Sequence, residues 1–272
     1  MKNIKILTAV LLVLLLVAFL FSGCGTILVP KNGEMEAGET ETRQYNFSDF
    51  TSVDIGSAFS YEIIQSDTYR ISITASNNLF DDIKVTKEGK TLIISMEFPE
   101  VPWTVKINTH PGPKAVIAMP QLDTLGSSGA TRGTVTGFSS SGDLNVTASG
   151  ASTVELVRIS AADAVFEVSE ASEVTGDIKA GNMELELSGA STVLLKGSTG
   201  SISADASGAS HLKLVDLKSE NASITLSGAS NGVTNLDGRL DAELSGASTL
   251  EYIGEPILGI MDISGASKLK RK

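Results

Sequence analysis

The chain has 272 residues, 42% of them hydrophobic but only 5% aromatic, with 26 glycines, a single cysteine and a formal net charge of −11. One cysteine excludes an intrachain disulfide, and the acidic balance argues against a nucleic-acid binder, which needs a basic face to track phosphates. The length suits one or two globular cores or a solenoid, whose size is not capped by core growth.

The chain opens with Lys2 and Lys5, a predominantly apolar run from Ile6 to Phe21, and then Ser22-Gly23-Cys24. A basic start, a short apolar core and small residues before a cleavage point predict a secretory signal over residues 1–23 and hence an exported protein. Phe21-Ser22-Gly23-Cys24 resembles a bacterial lipobox. That resemblance implies that Cys24 becomes the acylated N-terminus, anchoring the protein to a membrane through buried methylenes at about 0.8 kcal/mol each. Gly25-Thr26 lacks the aspartate that retains some lipoproteins at the inner membrane, so sorting to the outer membrane or cell surface is expected. Loss of Lys2 and Lys5 with the leader would take the net charge to −13.

Residues 24–44 are rich in Gly, Glu and Thr with few large apolar groups, and read as an acidic tether. From Tyr45 onward, Val53/Ile55, Tyr61/Ile63, Ile71/Ile73, Ile83/Val85 and Leu92/Ile94 alternate with polar residues, the mark of half-buried strands. Lys87-Glu88-Gly89-Lys90 is a hairpin signal, and Asn77 to Asp82 reads as a turn or a single helical turn. Prolines 99, 102, 111, 113 and 120 suit edge or connecting segments rather than a central sheet. Residues 45–120 are therefore expected to be a β-rich cap.

Residues 121–267 carry eight copies of Ser-Gly-Ala-Ser or a near relative, with the glycine column at Gly129, Gly150, Glu170, Gly189, Gly208, Gly228, Gly246 and Gly265. The spacing runs from 18 to 21 residues, the signature of a solenoid whose units cannot bury their apolar faces alone. Two and four places before the column the residues are mostly apolar, as in Leu185 and Leu187, and four places after it stand Val154, Val174, Val193, Leu212, Leu250 and Leu269. The motif thus reads as a corner between two inward-facing strands, with its alanine facing in, its glycine turning the chain and its hydroxyls bonding turn backbone. A coil of roughly 19–20 residues has room for three strands and three bends, giving an all-β, parallel β-helix. Glu170, alone in a glycine column, predicts that the column tolerates negative φ. The closing Lys268 to Lys272 reads as a basic tail.

Phe50-Thr51-Ser52-Val53-Asp54-Ile55, Ile71 to Leu79, Gly89 to Ile94 and the repeat array together resemble the bacterial "putative auto-transporter adhesin, head GIN domain" family over about residues 45–265. The resemblance implies a right-handed β-helix on an envelope protein and carries no catalytic residues.

Catalytic signals are poor. His110 and His211 are isolated, the single cysteine is the lipobox Cys24 and leaves no cysteine nucleophile, and no Gly-x-Ser-x-Gly elbow accompanies the recurring serines. Neither a resident metal nor a cofactor is called for. One column stands out: three places before the glycine column are Thr147, Glu167, Glu186, Asp205, Thr225, Glu243 and Asp262. Stacking would bring Glu167, Glu186 and Asp205 to steps of about 4.8 Å, a ladder able to face a cation such as Ca²⁺ or a basic partner, or simply to keep a solvated sheet from pairing with others. Three readings follow: a non-catalytic, adhesin-like envelope lipoprotein binding a glycan or protein, a polysaccharide-acting enzyme on the same scaffold, and a structural component forming homo-oligomers through its ends or a face.

Overall fold

The computed structural model describes residues 39–97 and 112–272, within the compact unit Ala37–Lys272. The leader, Cys24 and His110 lie outside the described residues. The fold is all-β: one three-residue 3-10 turn, Asn77–Leu79, is the only helical piece among the described residues. The opening strands are β1 (Thr40–Tyr45), β2 (Ser52–Ile55), β3 (Ser60–Gln65), β4 (Arg70–Ser76), β5 (Ile83–Glu88), β6 (Thr91–Met96), β7 (Lys114–Met119), β8 (Thr124–Ser127) and β9 (Arg132–Thr136).

Thereafter the chain alternates between two sheets. One takes β10 (Leu144–Ala148), β12 (Ala164–Val168), β14 (Asn182–Leu187), β16 (Ser201–Ala206), β18 (Asn221–Leu226), β20 (Arg239–Leu244) and β22 (Ile257–Ile263). The other takes β11 (Thr153–Ser160), β13 (Glu173–Lys179), β15 (Thr192–Ser198), β17 (His211–Ser219), β19 (Asn231–Leu236), β21 (Thr249–Ile253) and β23 (Lys268–Arg271). Successive strands within each sheet are parallel, so the repeats stack as a β-solenoid with an 11-stranded and a 12-stranded sheet. Three strands per coil were expected; the structure has two, the second being the longer in the four pairs from β10 and β11 to β16 and β17. Arg158, Gly176 and Gly197 take positive φ within those long strands and do the bending.

The inner faces meet in one core of vertical files. Val146, Phe166, Leu185, Ala204 and Ile224 stand in register, all buried, as do Val154, Val174, Val193 and Leu212 on the opposite sheet. At about 25 cal/mol per Å² of apolar area, these files are the main source of stability.

The opening segment is more than a cap. β2 and β3 form a coil lying between the coil of β6 and β7 and that of β8 and β9, out of chain order. β5, β4 and β1 then close the end with antiparallel pairing, so the tether expected to run to residue 44 gives way to a strand at Thr40. β7 sits inside its sheet between β4 and β3, against the expectation for the proline-rich stretch. Pro113 and Pro120 flank this strand and leave its ladder intact.

Two expectations for the corner fail. The alanines are exposed, and it is the following hydroxyl residue that points in: Thr131, Ser152, Ser172, Ser191, Ser210, Ser230 and Ser248 are all buried to within 1%. Some of these hydroxyls bond backbone, Ser152 donating to the Ser127 carbonyl of the coil below at 3.1 Å and Ser210 to the Ser207 carbonyl of its own turn at 2.7 Å. The glycine column has φ from +67° to +77°, and Glu170 shares it at +61°. The column therefore does demand the left-handed region. It also demands closeness: from Ala151 onward each corner alanine N–H donates to the carbonyl of the column residue one coil below, as from Ala209 to Gly189 at 2.7 Å, and a Cβ on Gly208 would lie 2.5 Å from that same oxygen. The corner carrying Glu170 is accommodated by a looser contact, since Ala171 N to Gly150 O, at 2.9 Å, is the longest in the file.

Glu170→Gly is expected to stabilise the protein by about 1 kcal/mol, raising the thermal midpoint by about 2–4 °C. Gly208→Ala should cost more than about 2 kcal/mol, because strain and overlap add. Ser230 Oγ has no hydrogen-bond partner although buried, whereas Ser210 Oγ has two. Denaturant titration should accordingly find Ser210→Ala destabilised by about 1–3 kcal/mol and Ser230→Ala unchanged or more stable.

Candidate binding face

The outer surface of the 11-stranded sheet carries three vertical files, seven, five and three places before the glycine column. From β10 to β20 the strands run in unbroken register. The 12-stranded sheet, by contrast, shifts register between β11 and β13, β15 and β17, and β17 and β19. In-register strands are what keep like side chains one above another, so the regular sheet is the one that presents a repeating surface.

The carboxylate file predicted from sequence exists. Glu167 pairs with Glu186, Glu186 with Asp205 and Glu243 with Asp262, with Thr225 interposed between Asp205 and Glu243. All five acids are exposed. Glu167, Glu186 and Asp205 line a shallow depression of about 400 Å³ together with Ser169, Ser188 and Ser207. Among the described residues, no group of three His, Cys, Asp or Glu side chains is placed to hold a metal ion. His211 lies on the opposite sheet, in file with Thr192 and Asn231.

A second, larger groove of about 560 Å³ crosses the same face beside the carboxylate file, from Asp143 to Asp241. Its wall is an Asx file that was not singled out in the sequence: Asp143, Asp163, Asn182 and Asn221, with Ser201 between the last two. The signal was present, for each stands seven places before the glycine column. These side chains tie one coil to the next. Asp163 Oδ1 accepts from the Asn182 amide N–H at 2.7 Å and from its Nδ2 at 3.0 Å, and Asn221 Oδ1 accepts from the Arg239 N–H at 3.0 Å. At the far end the Arg239 guanidinium grips Asp241 with two bonds of 2.7 and 2.8 Å, which, with a backbone bond from Ile260, holds the Asp241 carboxyl below the usual carboxylate range. Along the groove floor Glu184, Ser203 and Ser223 stand in register and make no side-chain hydrogen bond among the described residues.

Fold and site together define a β-solenoid with one flat, polar, acid-rich presenting face. The family model "Putative auto-transporter adhesin, head GIN domain" matches residues 49–256, and the chain belongs to that family. A search of curated proteins finds no match. Among solved structures, a putative adhesin from Parabacteroides distasonis superposes with a TM-score of 0.77 at 15% identity, and one from Parabacteroides merdae with 0.72 at 14%. A putative lipid binding protein from Parabacteroides distasonis gives 0.67 at 19%. Each alignment covers 86% of this chain and 97% of the other, and at these identities they establish the fold.

The absence of converging ligands in the carboxylate file gives a simple expectation: millimolar Ca²⁺ should leave the thermal midpoint of the protein unchanged and produce no saturable heat on titration. Saturable heat lost in Glu186→Gln would reverse it.

Proposed function

We propose that the protein is a non-catalytic, adhesin-like envelope lipoprotein that holds the outer face of its 11-stranded sheet toward a glycan or protein partner. The observation carrying this reading is the unbroken register from β10 to β20, which repeats weakly binding side chains at a constant step and so suits multivalent attachment. Among the described residues, the coils from β10 onward bear no long inserted loops to wall a catalytic cleft, and the groove's one cation, Arg239, is already paired with Asp241. These features weigh against a polysaccharide-acting enzyme. Acylation of Cys24 would tether the solenoid at a membrane through the segment before Thr40, with the outer membrane or cell surface as its destination.

Two measurements test this. Metabolic labelling with a fatty-acid analogue should mark the protein and fail on Cys24→Ala, which should appear in the soluble fraction. A glycan and envelope-protein binding screen with the purified protein should return a ligand that is bound and recovered unchanged; turnover would point to the enzyme instead.

A second reading, self-association, has its own observation. Among the described residues β22 ends the 11-stranded sheet with Ile257 73% and Ile260 60% exposed, an apolar edge of the kind that recruits another strand. A second copy pairing there would sediment as a dimer that Ile260→Lys returns to monomer.

A further inference from the structure

We infer that the 560 Å³ groove on the 11-stranded sheet binds a linear oligosaccharide free of acidic groups, lying along the solenoid axis. The inference rests on the adhesin-like reading above and narrows it to one groove and one ligand class.

The dimensions favour a chain over a compact ligand. The groove crosses six strands, β10 to β20, which at about 4.8 Å per step makes it roughly 24 Å long. Its floor file, Asn145, Val165, Glu184, Ser203, Ser223 and Asp241, sets one outward side chain per coil at a constant step, so an extended ligand can make a contact at each coil, whereas a small molecule would use one step of five.

The chemistry favours hydroxyl groups. Glu184 offers only acceptors, while Ser203 and Ser223 both donate and accept. A sugar hydroxyl does both and can satisfy either kind of side chain. The side chains are also free to do so, making no hydrogen bonds among the described residues, while the Asx file beside them is fixed by its bonds between coils. That fixed wall gives the groove a shape that binding does not have to order.

Charge and composition exclude the alternatives. Asp143, Asp163 and Glu184 would repel an anionic polymer, whether a uronate, a nucleic acid or a phosphate-rich lipid surface. A protein partner would seek aromatic or Arg anchors in a desolvated centre, and the outward residues of this groove include no aromatic, with its one arginine engaged by Asp241.

The full-length protein in detergent should be titrated with linear β-1,4-glucose, α-1,4-glucose and β-1,4-N-acetylglucosamine oligomers of two to six units, with a galacturonate hexamer and spermine for comparison. At least one neutral series should bind, tighter with each added unit. Ser203→Trp and Ser223→Trp, each filling the groove from an exposed position, should weaken that binding tenfold or more at an unchanged thermal midpoint. Lys213→Trp on the opposite sheet should leave it alone. The inference is overturned if no neutral series binds, if galacturonate or spermine binds instead, or if correctly folded Ser203→Trp and Ser223→Trp both bind as the parent does. Should the parent meanwhile retain an envelope-protein or other glycan ligand, the groove assignment falls while the adhesin-like reading stands; if it binds nothing in either screen, both fall.

Discussion

The structure depends on one contact, the alanine N–H of each corner reaching the carbonyl of the column residue one coil below. Seven such bonds of 2.6–2.9 Å run up the corner file from Ala151 to Ala266. To make them the turns must sit directly on one another, so that a Cβ in the column would press within 2.4–2.7 Å of that same carbonyl. The turn geometry also puts the column at positive φ. Closeness and handedness therefore ask for glycine independently, and the sequence meets both at seven of eight positions. With the corners locked, the strands on either side have no freedom to slip, and the files of core residues and surface side chains follow.

Where the unequal coil lengths go is a second consequence. From Asp143, Asp163, Asn182, Ser201, Asn221 and Arg239, the next column residue is always seven places on, although whole coils vary from 18 to 21 residues. All the variation falls in the stretch after the corner, which forms the bent sheet with its register shifts. Bulges absorb extra residues at the cost of local disorder in the ladder. From β10 to β20 one sheet takes that cost while the other keeps its register, which is why repeating surface files occur on the 11-stranded side.

Much of this was legible from period and parity. The repeat fixed the solenoid, and alternation placed Leu185 and Leu187 inward and Glu186 outward. The corner was misread where chemical intuition overrode counting: by twos, Leu185 and Leu187 lead to Gly189, Ser191 and Val193, which puts the serine inside. Methyl-in, hydroxyl-out is the usual preference, but here the hydroxyls of Ser152, Ser210 and Ser248 find a carbonyl of their own turn or of a neighbouring coil, so their burial carries little penalty. Glu170 misled differently, since a residue tolerated at a strained position is no sign that the strain is absent. The insertion of the β2–β3 coil between two later coils was invisible, because stacking order need not follow chain order and the corner Gly56-Ser57-Ala58-Phe59 carries the repeat motif with its serine and glycine exchanged and its last hydroxyl replaced by phenylalanine. There Ser57 and Ala58 take φ of +60° and +63°, and Phe59 occupies the buried position that serine holds elsewhere.

The same parity governs the outer surface. In a solenoid every outward position recurs one coil away in an almost identical setting, so a side chain rarely acquires the converging neighbours that activate a nucleophile or shift a proton affinity. Outside, Asp241 is shifted by its pairing with Arg239, whereas the large shift among the described residues lies inside, where burial in the core pushes the Tyr61 phenol up as its hydroxyl donates to Ser127. Gly133 leaves room for that ring, its absent side chain filled by the Tyr61 edge. Apart from the Arg239–Asp241 pair, the outward groups of the 11-stranded sheet stand one per coil and exposed, a geometry that favours many weak contacts summed along an extended ligand over one strong contact at a point.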